Sequence, residues 1–349
     1  MRPENSQVTG LTLEDIARQV GVSRSTVSRV VNGHPNVRED VRKRIQEVIE
    51  HTGYHPNAAA RTLASQRSRM IGLVLPRTIN SFFTDPYFPQ FTQGIAQACN
   101  QSDYTLGLFL AGTREDEEKI FPRVSRRGFL DGVLIQSGHG QIGDRLTDRL
   151  IESNIPLVIV GRPSQPDSVS YIDVDNTEAA HSAVSHLARL GYQRIATITG
   201  PGTSTVGIDR KEGYLRALAE RGRTIEDRLV TEGDFTEAGG YYAMQRLLPA
   251  KPDAVFAASD IMAIGAMRAI REARLNVPND IALIGFDDIP LAALSDPQLS
   301  TIRQHVFQFG ISAVELLTDL IENGLTPRRR IIMATELVIR ESCGAHRRR

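Results

Sequence analysis

The chain lacks most of the patterns on which catalysis, metal binding and secretion depend. Its two cysteines, Cys99 and Cys343, stand far apart without metal or redox spacing, so each reads as a small buried side chain. Its eight histidines form no cluster with metal-ligand spacing. G-x-x-x-x-G-K-S/T, H-E-x-x-H and a nucleophile elbow are all missing, which argues against an enzyme. GPGTS at 200–204 has the look of a phosphate loop, but a glycine-rich βα turn is ordinary in parallel sheets. No run approaches the roughly 18 apolar residues of a membrane span. MRPENSQVTG has no apolar secretion segment, and CGAHRRR ends the sequence without the apolar heptads of a coiled-coil tail. These absences lead to the expectation of a cytoplasmic protein with no catalytic site, no cofactor, no metal and no membrane partner.

Net charge is missing too, since 41 Lys and Arg balance 41 Asp and Glu. The balance hides an asymmetry: residues 1–69 carry 11 basic against 7 acidic side chains, and the remainder is acidic by the same margin. A basic head suits phosphate binding, because each neutralised phosphate releases counterions. Within it, TLEDIARQVGVSRSTVSRVVN at 12–32 reads as two helices around a tight turn. Thr12 caps the first with Asp15 at capping-box spacing, Ile16, Ala17 and Val20 share one face, and Gly21 ends it. Ser23 caps the second. There Val27, Val30 and Val31 share one arc at about 100° per residue, and Arg24, Ser25, Ser28, Arg29 and Asn32 share the opposite one. Helix, glycine turn, helix is the arrangement whose second helix enters a DNA major groove, the alternative being an ordinary αα-hairpin. Val41, Ile45, Val48, Ile49 and Thr52 give a third helix its apolar stripe before Gly53, with Arg42, Lys43 and Arg44 on the far side.

TLEDIARQVGVSRSTVSRVVNG and TGYHPNAAARTLAS resemble the head and hinge of the LacI/GalR family of bacterial transcription regulators. SYIDVDN, LGYQRIATITGP, DRKEGYLRAL, SDIMAIGAMRAI and DIALIGFDD follow in the order and separations of that family. The resemblance implies base readout by Arg24, Ser25 and Arg29, arginine pairing with guanine O6 and N7 while serine serves several bases. It gives Thr12, Ser23, Thr26, Ser28 and Asn32 the task of holding phosphates. After Pro56, about nine residues have helix propensity but too little length to be stable alone. In the family such a stretch is a hinge helix that folds in the minor groove, which brings Asn57 and Ala60 to the DNA and wedges Leu63 between base pairs. One small head reads few base pairs, so a homodimer on a pseudo-palindromic operator is expected.

After Ser65 the pattern becomes alternating. Apolar strands at 70–75, 105–110, 132–135, 157–160, 195–199, 254–257 and 281–285 are separated by helical stretches, and repeated βα units imply parallel sheets covered on both faces. The expected fold class is an all-α helix-turn-helix head plus an α/β two-lobed body, which the resemblance makes type I periplasmic-binding-protein-like. The expected organisation is a flexible N-terminus at 1–10, a DNA-binding domain at 11–55, a hinge at 56–68 and an effector-binding and dimerisation domain at 69–341. Lobe 1 spans about 70–173 and 303–330, lobe 2 about 174–302 and 331–341, and a basic tail covers 342–349.

For the cleft between the lobes, the resemblance implies Arg210 in GIDRKEGY as the holder of ligand hydroxyls or a carboxylate, a task that suits a planar guanidinium. Asp287 accepts from sugar hydroxyls, and Phe235 packs on the apolar face of the ligand, the alternative being plain core. Phe88, Asp175 and Asp260 are further candidates, Ser259-Asp260 standing where the family often has asparagine-aspartate. NSFFTDPYF is longer and more aromatic than the segment expected after the first strand. Paired opposite charges favour a sugar-like effector that releases a repressor. Corepression by a purine-like or phosphorylated metabolite, or by a partner protein, is the alternative. A transport sugar-binding protein is a remoter one, since it needs a secretion signal and no head.

Overall fold

The structure, a computed structural model, describes residues 11–31, 34–54, 67–126, 128–137, 140–324 and 326–345, and the chain divides into two compact units, Met1–Ser68 and Arg69–Arg349. The first ten residues, Asn32, the hinge residues Asn57, Ala60 and Leu63, and the last four residues lie outside the described ones.

The head is built from α1 (Leu13–Val20), α2 (Arg24–Val31) and α3 (Glu39–Thr52). Thr12 and Asp15 form a reciprocal capping box, and Gly21 adopts the left-handed conformation, φ 73°, that lets its N–H reach the Ala17 carbonyl. The Ser23 hydroxyl accepts from the Thr26 N–H at 3.1 Å and so starts α2. Ile16, Ala17, Val20, Val27, Val30, Ile45 and Tyr54 fill the core, while Val31, Val41, Val48 and Ile49 pack against its edge. Arg44, expected on a free basic face, donates to the Val20 carbonyl and covers the end of α1, and Arg42 donates to the His34 carbonyl at 2.7 Å. The Val20 carbonyl is one of the orphan acceptors at the end of α1, which is the physical reason that Arg44 turns inward, and Arg42 serves a loop carbonyl in the same way.

The body holds two six-stranded sheets. The first contains β1 (Met70–Leu75), β2 (Thr105–Leu110), β3 (Gly132–Gln136), β4 (Leu157–Val160), β5 (Ser170–Val174) and β11 (Arg330–Met333), in the order β11-β5-β4-β3-β1-β2 and parallel throughout. The second contains β6 (Ile195–Thr199), β7 (Val230–Glu232), β8 (Ala254–Ala257), β9 (Ala282–Asp287), β10 (Ser300–Arg303) and β12 (Glu336–Val338), in the order β12-β10-β9-β8-β6-β7. Its strands are parallel except for β12 at one edge, which runs against β10. Helices α4 (Ile79–Thr84), α5 (Tyr87–Gln101), α6 (Arg114–Val124) and α7 (Gly140–Glu152) accompany the first sheet. With the second run α8 (Asn176–Arg189), α9 (Thr205–Ala219), α10 (Glu237–Leu247), α11 (Asp260–Glu272) and α12 (Pro290–Leu294). The last helix, α13 (Val306–Asn323), returns to pack on α5 and the first sheet. Strands whose two faces are both covered can be apolar throughout, and β3, β4, β6, β8 and β9 are almost wholly buried.

Two expected boundaries are corrected. The segment 331–341 does not belong to lobe 2 throughout, because Arg330–Met333 extends the first sheet beside β5 and only Glu336–Val338 pairs into the second. Two short, half-exposed edge strands carry no signal of which sheet each completes. Residues 342–345 do not belong to a solvated tail either. Ser342 and Cys343 are buried, the Ser342 hydroxyl donates to the Leu283 carbonyl at 2.7 Å, and Tyr192 donates to the Cys343 carbonyl at 3.1 Å. Cys99 is buried as well, and burial pushes its thiol up to about 11. Among the described residues no helix is long and apolar enough to cross a membrane.

Candidate functional site

On the head, Arg24, Ser25 and Arg29 are exposed on α2, whose opposite face is packed by Val27 and Val30. Arg24 Nε donates to Glu14 Oε1 at 2.8 Å, a pair between two exposed side chains and therefore worth little. Ser25 Oγ lies 2.7 Å from Ser23 Oγ, and Ser23 Oγ lies 2.8 Å from Thr26 Oγ1, so the N-terminus of α2 presents a cluster of hydroxyls. Thr12 spends its hydroxyl on Asp15, 2.7 Å away. Ser28 is half-buried.

The second site is a pocket of about 610 Å³, counting its open mouth. It forms where the carboxyl ends of both sheets' strands converge, the place at which parallel sheets bind ligands. Arg77 follows β1, Gln136 and Ser137 end β3, and Val160 and Gly161 end β4, while Asp173 and Asn176 flank the end of β5. From the second sheet come Ser204 and Val206, Phe235, Ser259, Asp287 at the end of β9 and Gln304 after β10. Asp85, Tyr87, Phe88 and Phe309 complete the lining.

Arg210 is the organising cation. It is 4% exposed, its Nε donates to Asn176 Oδ1 at 2.8 Å, and its Nη1 donates to the Ala258 carbonyl at 2.6 Å and approaches Asp287 Oδ1 at 3.4 Å. Its guanidinium carbon lies 3.5 Å from the centre of the Phe286 ring. Asp287 also accepts from the Gln304 amide. Burial pushes its carboxyl up to about 7, Arg210 pulling the other way and Asp85 adding to the rise. Asp173 accepts from the Val174 N–H at 2.8 Å and from Asn176 Nδ2 at 3.1 Å, and burial still raises it to about 6. Burial likewise raises Asp85 and Tyr87, and lowers Arg77 to about 10. Arg77 Nε donates to Gln136 Oε1 at 3.2 Å, and its guanidinium lies over Phe88 at 4.3 Å. Across the cleft, Arg162 after β4 makes a two-pronged ion pair with Asp209 of α9, at 2.9 and 2.5 Å, beside Arg210 in sequence.

Phe235 lies at φ 61° and turns its ring to within 2.2 Å of where a Cβ on Gly200 would stand. Only glycine leaves that space, so Gly200 of GPGTS makes room for an aromatic wall. The next glycine, Gly202, gives its N–H to Glu232 at 3.1 Å.

Of the expected effector residues, Arg210, Asp287, Phe235 and Phe88 line this pocket. Two do not. Asp175 is exposed and caps α8 through the Glu178 N–H at 2.8 Å; its D-x-x-E spacing is a capping signal that the sequence reading passed over. Asp260 is fully buried beneath β9, accepting from Thr301 Oγ1 at 2.5 Å and from the Ile289 N–H at 2.9 Å, where it ties α11 to the sheet. Burial, reinforced by Asp287, holds its carboxyl well above the usual range. Sequence reading missed Arg77, Asp85, Tyr87, Gln136, Asp173, Asn176 and Gln304. Arg77 and Gln136 stand just past strands read from the sequence at 70–75 and 132–135, whereas Asp173, Asn176 and Gln304 depend on β5 and β10, which were not among the strands read.

A helix-turn-helix head joined to a two-lobed body with a polar and aromatic pocket between its sheets defines a ligand-responsive DNA-binding regulator. Comparison with known proteins gives the same class. Residues 12–57 match the model of the lacI family of bacterial regulatory proteins, and 184–343 match the periplasmic binding protein-like domain. The HTH-type transcriptional regulator CelR of Thermobifida fusca is 36% identical over 335 residues, covering 95% of this chain and 98% of the relative. AglR of Rhizobium meliloti is 37% identical over 342 residues, with coverages of 96% and 94%. Among solved structures, a transcriptional regulator CelR–cellobiose complex superposes with a TM-score of 0.76 at 33% identity, covering 95% of this chain and 99% of that one. The lac repressor dimer bound to operator and the anti-inducer ONPF gives 0.82 at 25% identity, covering 96% and 99%. The chain belongs to the lacI family of bacterial regulatory proteins.

Proposed function

We propose that this protein is a repressor that binds a pseudo-palindromic operator as a homodimer and is released from it by a small saccharide. Arg29 and Arg24 read guanines and Ser25 an adjoining base, while the hydroxyls of Ser23, Thr26 and Ser28 meet phosphates. Thr12 acts through the cap that orients α1. The hinge residues Asn57, Ala60 and Leu63 enter the minor groove in this reading.

The single observation that carries the effector half is the pocket's chemistry, in which buried carboxylates, amides and arginines alternate with Phe88, Phe235, Phe309 and Tyr87. Polar groups of both kinds serve ring hydroxyls, and aromatic faces serve the C–H side of a sugar. The CelR relative solved with cellobiose supports the same class of ligand. A saccharide seated there touches residues of both sheets, so its affinity depends on how the lobes are placed. By linkage it shifts operator affinity only by its differential binding to the two placements. The Arg162–Asp209 pair spans the cleft and contributes to one of them.

The test is fluorescence anisotropy of an operator selected from a randomised pool, titrated with glucose-, galactose- and fructose-containing disaccharides. Release is expected. Tightening by a purine or a phosphorylated metabolite, with no response to any saccharide, supports corepression instead.

A further inference from the structure

Among the described residues, five charged side chains line the pocket: Arg77 and Arg210 against Asp85, Asp173 and Asp287. Both cations already have partners. Arg210 donates through Nε to Asn176 and through Nη1 to Ala258 and Asp287 and rests on Phe286, and Arg77 donates through Nε to Gln136 while lying over Phe88. Among the described residues the acidic side chains outnumber the basic ones by one, a full negative charge once the pH stands above the raised values of Asp173 and Asp287, and the surplus comes from the unusual segment 78–88. There Thr78 caps α4 and the Asp85 carboxylate accepts from the Tyr87 N–H at 3.0 Å, which anchors Asp85 and Tyr87 at the pocket wall.

From this arrangement we infer that the effector is an uncharged saccharide, and that Asp85 is a specificity-determining residue that turns away uronic acids and sugar phosphates. The inference rests on the saccharide reading above and narrows it. A neutral sugar brings O–H donors to a site rich in acceptors, so each carboxylate gains a charge-assisted hydrogen bond. An anionic sugar brings a further acceptor, and the guanidiniums it meets already share their charge with Asp287, Asn176 and Gln136. Like charges a few ångströms apart in a partly dry cavity repel strongly enough to cost on the order of a hundredfold in affinity. The field of Asp85 extends across the site, since it contributes to the raised carboxyl of Asp287.

The experiment is calorimetric titration of the full chain with matched pairs: cellobiose and maltose, each against the disaccharide whose outer glucose is oxidised to glucuronic acid. The neutral member is expected to bind, its uronic partner at least tenfold more weakly, and Asp85→Asn to shrink that ratio to near one. Asparagine keeps the shape of the side chain and its acceptor for the Tyr87 N–H, and a thermal melt verifies the fold. Asp85→Glu, which retains the charge, is expected to keep the discrimination. Equal or tighter binding of the uronic acids overturns the inference, as does a ratio that Asp85→Asn leaves untouched. If no sugar of either kind binds while another metabolite alters operator affinity, the saccharide reading falls and this one with it.

Discussion

The head and the pocket solve opposite problems with the same residue types. Arg29 lies on the surface of a helix whose other side alone carries the packing, so its charge is solvated and its removal leaves a folded domain. Arg210 is 4% exposed and joins Asn176, Ala258 and Asp287, so the group that is offered to a ligand also holds strand ends and helix starts together. Recognition of a polyanion works from a wet surface because the charge on the partner is large and extended. Recognition of a small ligand needs desolvation, and desolvated charges must already have partners. In the head, function and stability are separable; in the body they are coupled.

The hardest blow to that contrast is Arg210→Met. It leaves Asp287 buried beside unpaired acceptors, and the body is expected to lose about 3–5 kcal/mol in urea unfolding along with all saccharide binding. A variant as stable as the parent breaks the comparison. Arg29→Ala is its counterpart, expected to leave the unfolding midpoint unchanged while costing about 1–3 kcal/mol in operator affinity and relaxing preference at one base position, read by anisotropy against substituted operators. A loss of fold in Arg29→Ala reverses the argument for the head.

Asp173 sharpens the contrast through pH. Its carboxyl rises from 3.8 to about 6 on folding, so its contribution to stability is whole below the lower value and disappears as pH climbs through the upper. Asp173→Asn is expected to match the parent near pH 4 and to exceed it at pH 8 by on the order of 2 kcal/mol. A difference independent of pH rejects the burial account. Thr12→Ala has the smallest expected effect, about 1 kcal/mol on the head from the lost capping box, together with a modest loss of operator affinity. Affinity that falls with no change in head stability returns Thr12 to direct phosphate contact.

Much of this was legible beforehand. The capping box at Thr12, the glycine stop at 21 and the apolar arcs of α1 and α2 depend on residues within one or two turns, and they stand in the structure as read. Arg210, Asp287, Phe235 and Phe88 were placed through a resemblance that extends along the chain, and all four reach the pocket. Asp175 and Asp260 were not distinguishable from ligand-facing carboxylates by that route. An aspartate at a helix start can cap, brace or bind, and a single residue, Val174, separates Asp175 from Asp173 while only the latter enters the cavity.

The amino-acid sequence by itself determined the helical head with its polar face, the alternation that demands parallel sheets, and the family. These follow from local capping, periodicity and apolar patterning, which act over a few residues at a time. Tertiary structure alone decided that the 330–338 run is shared between two sheets, that Arg42 and Arg44 close helix and loop ends, that Phe235 needs the space of Gly200, and that Asp85, Asp173 and Asp287 meet around two arginines. Each depends on which distant strand ends arrive together, and a buried charge takes its role from the partners that folding brings to it rather than from its neighbours along the chain.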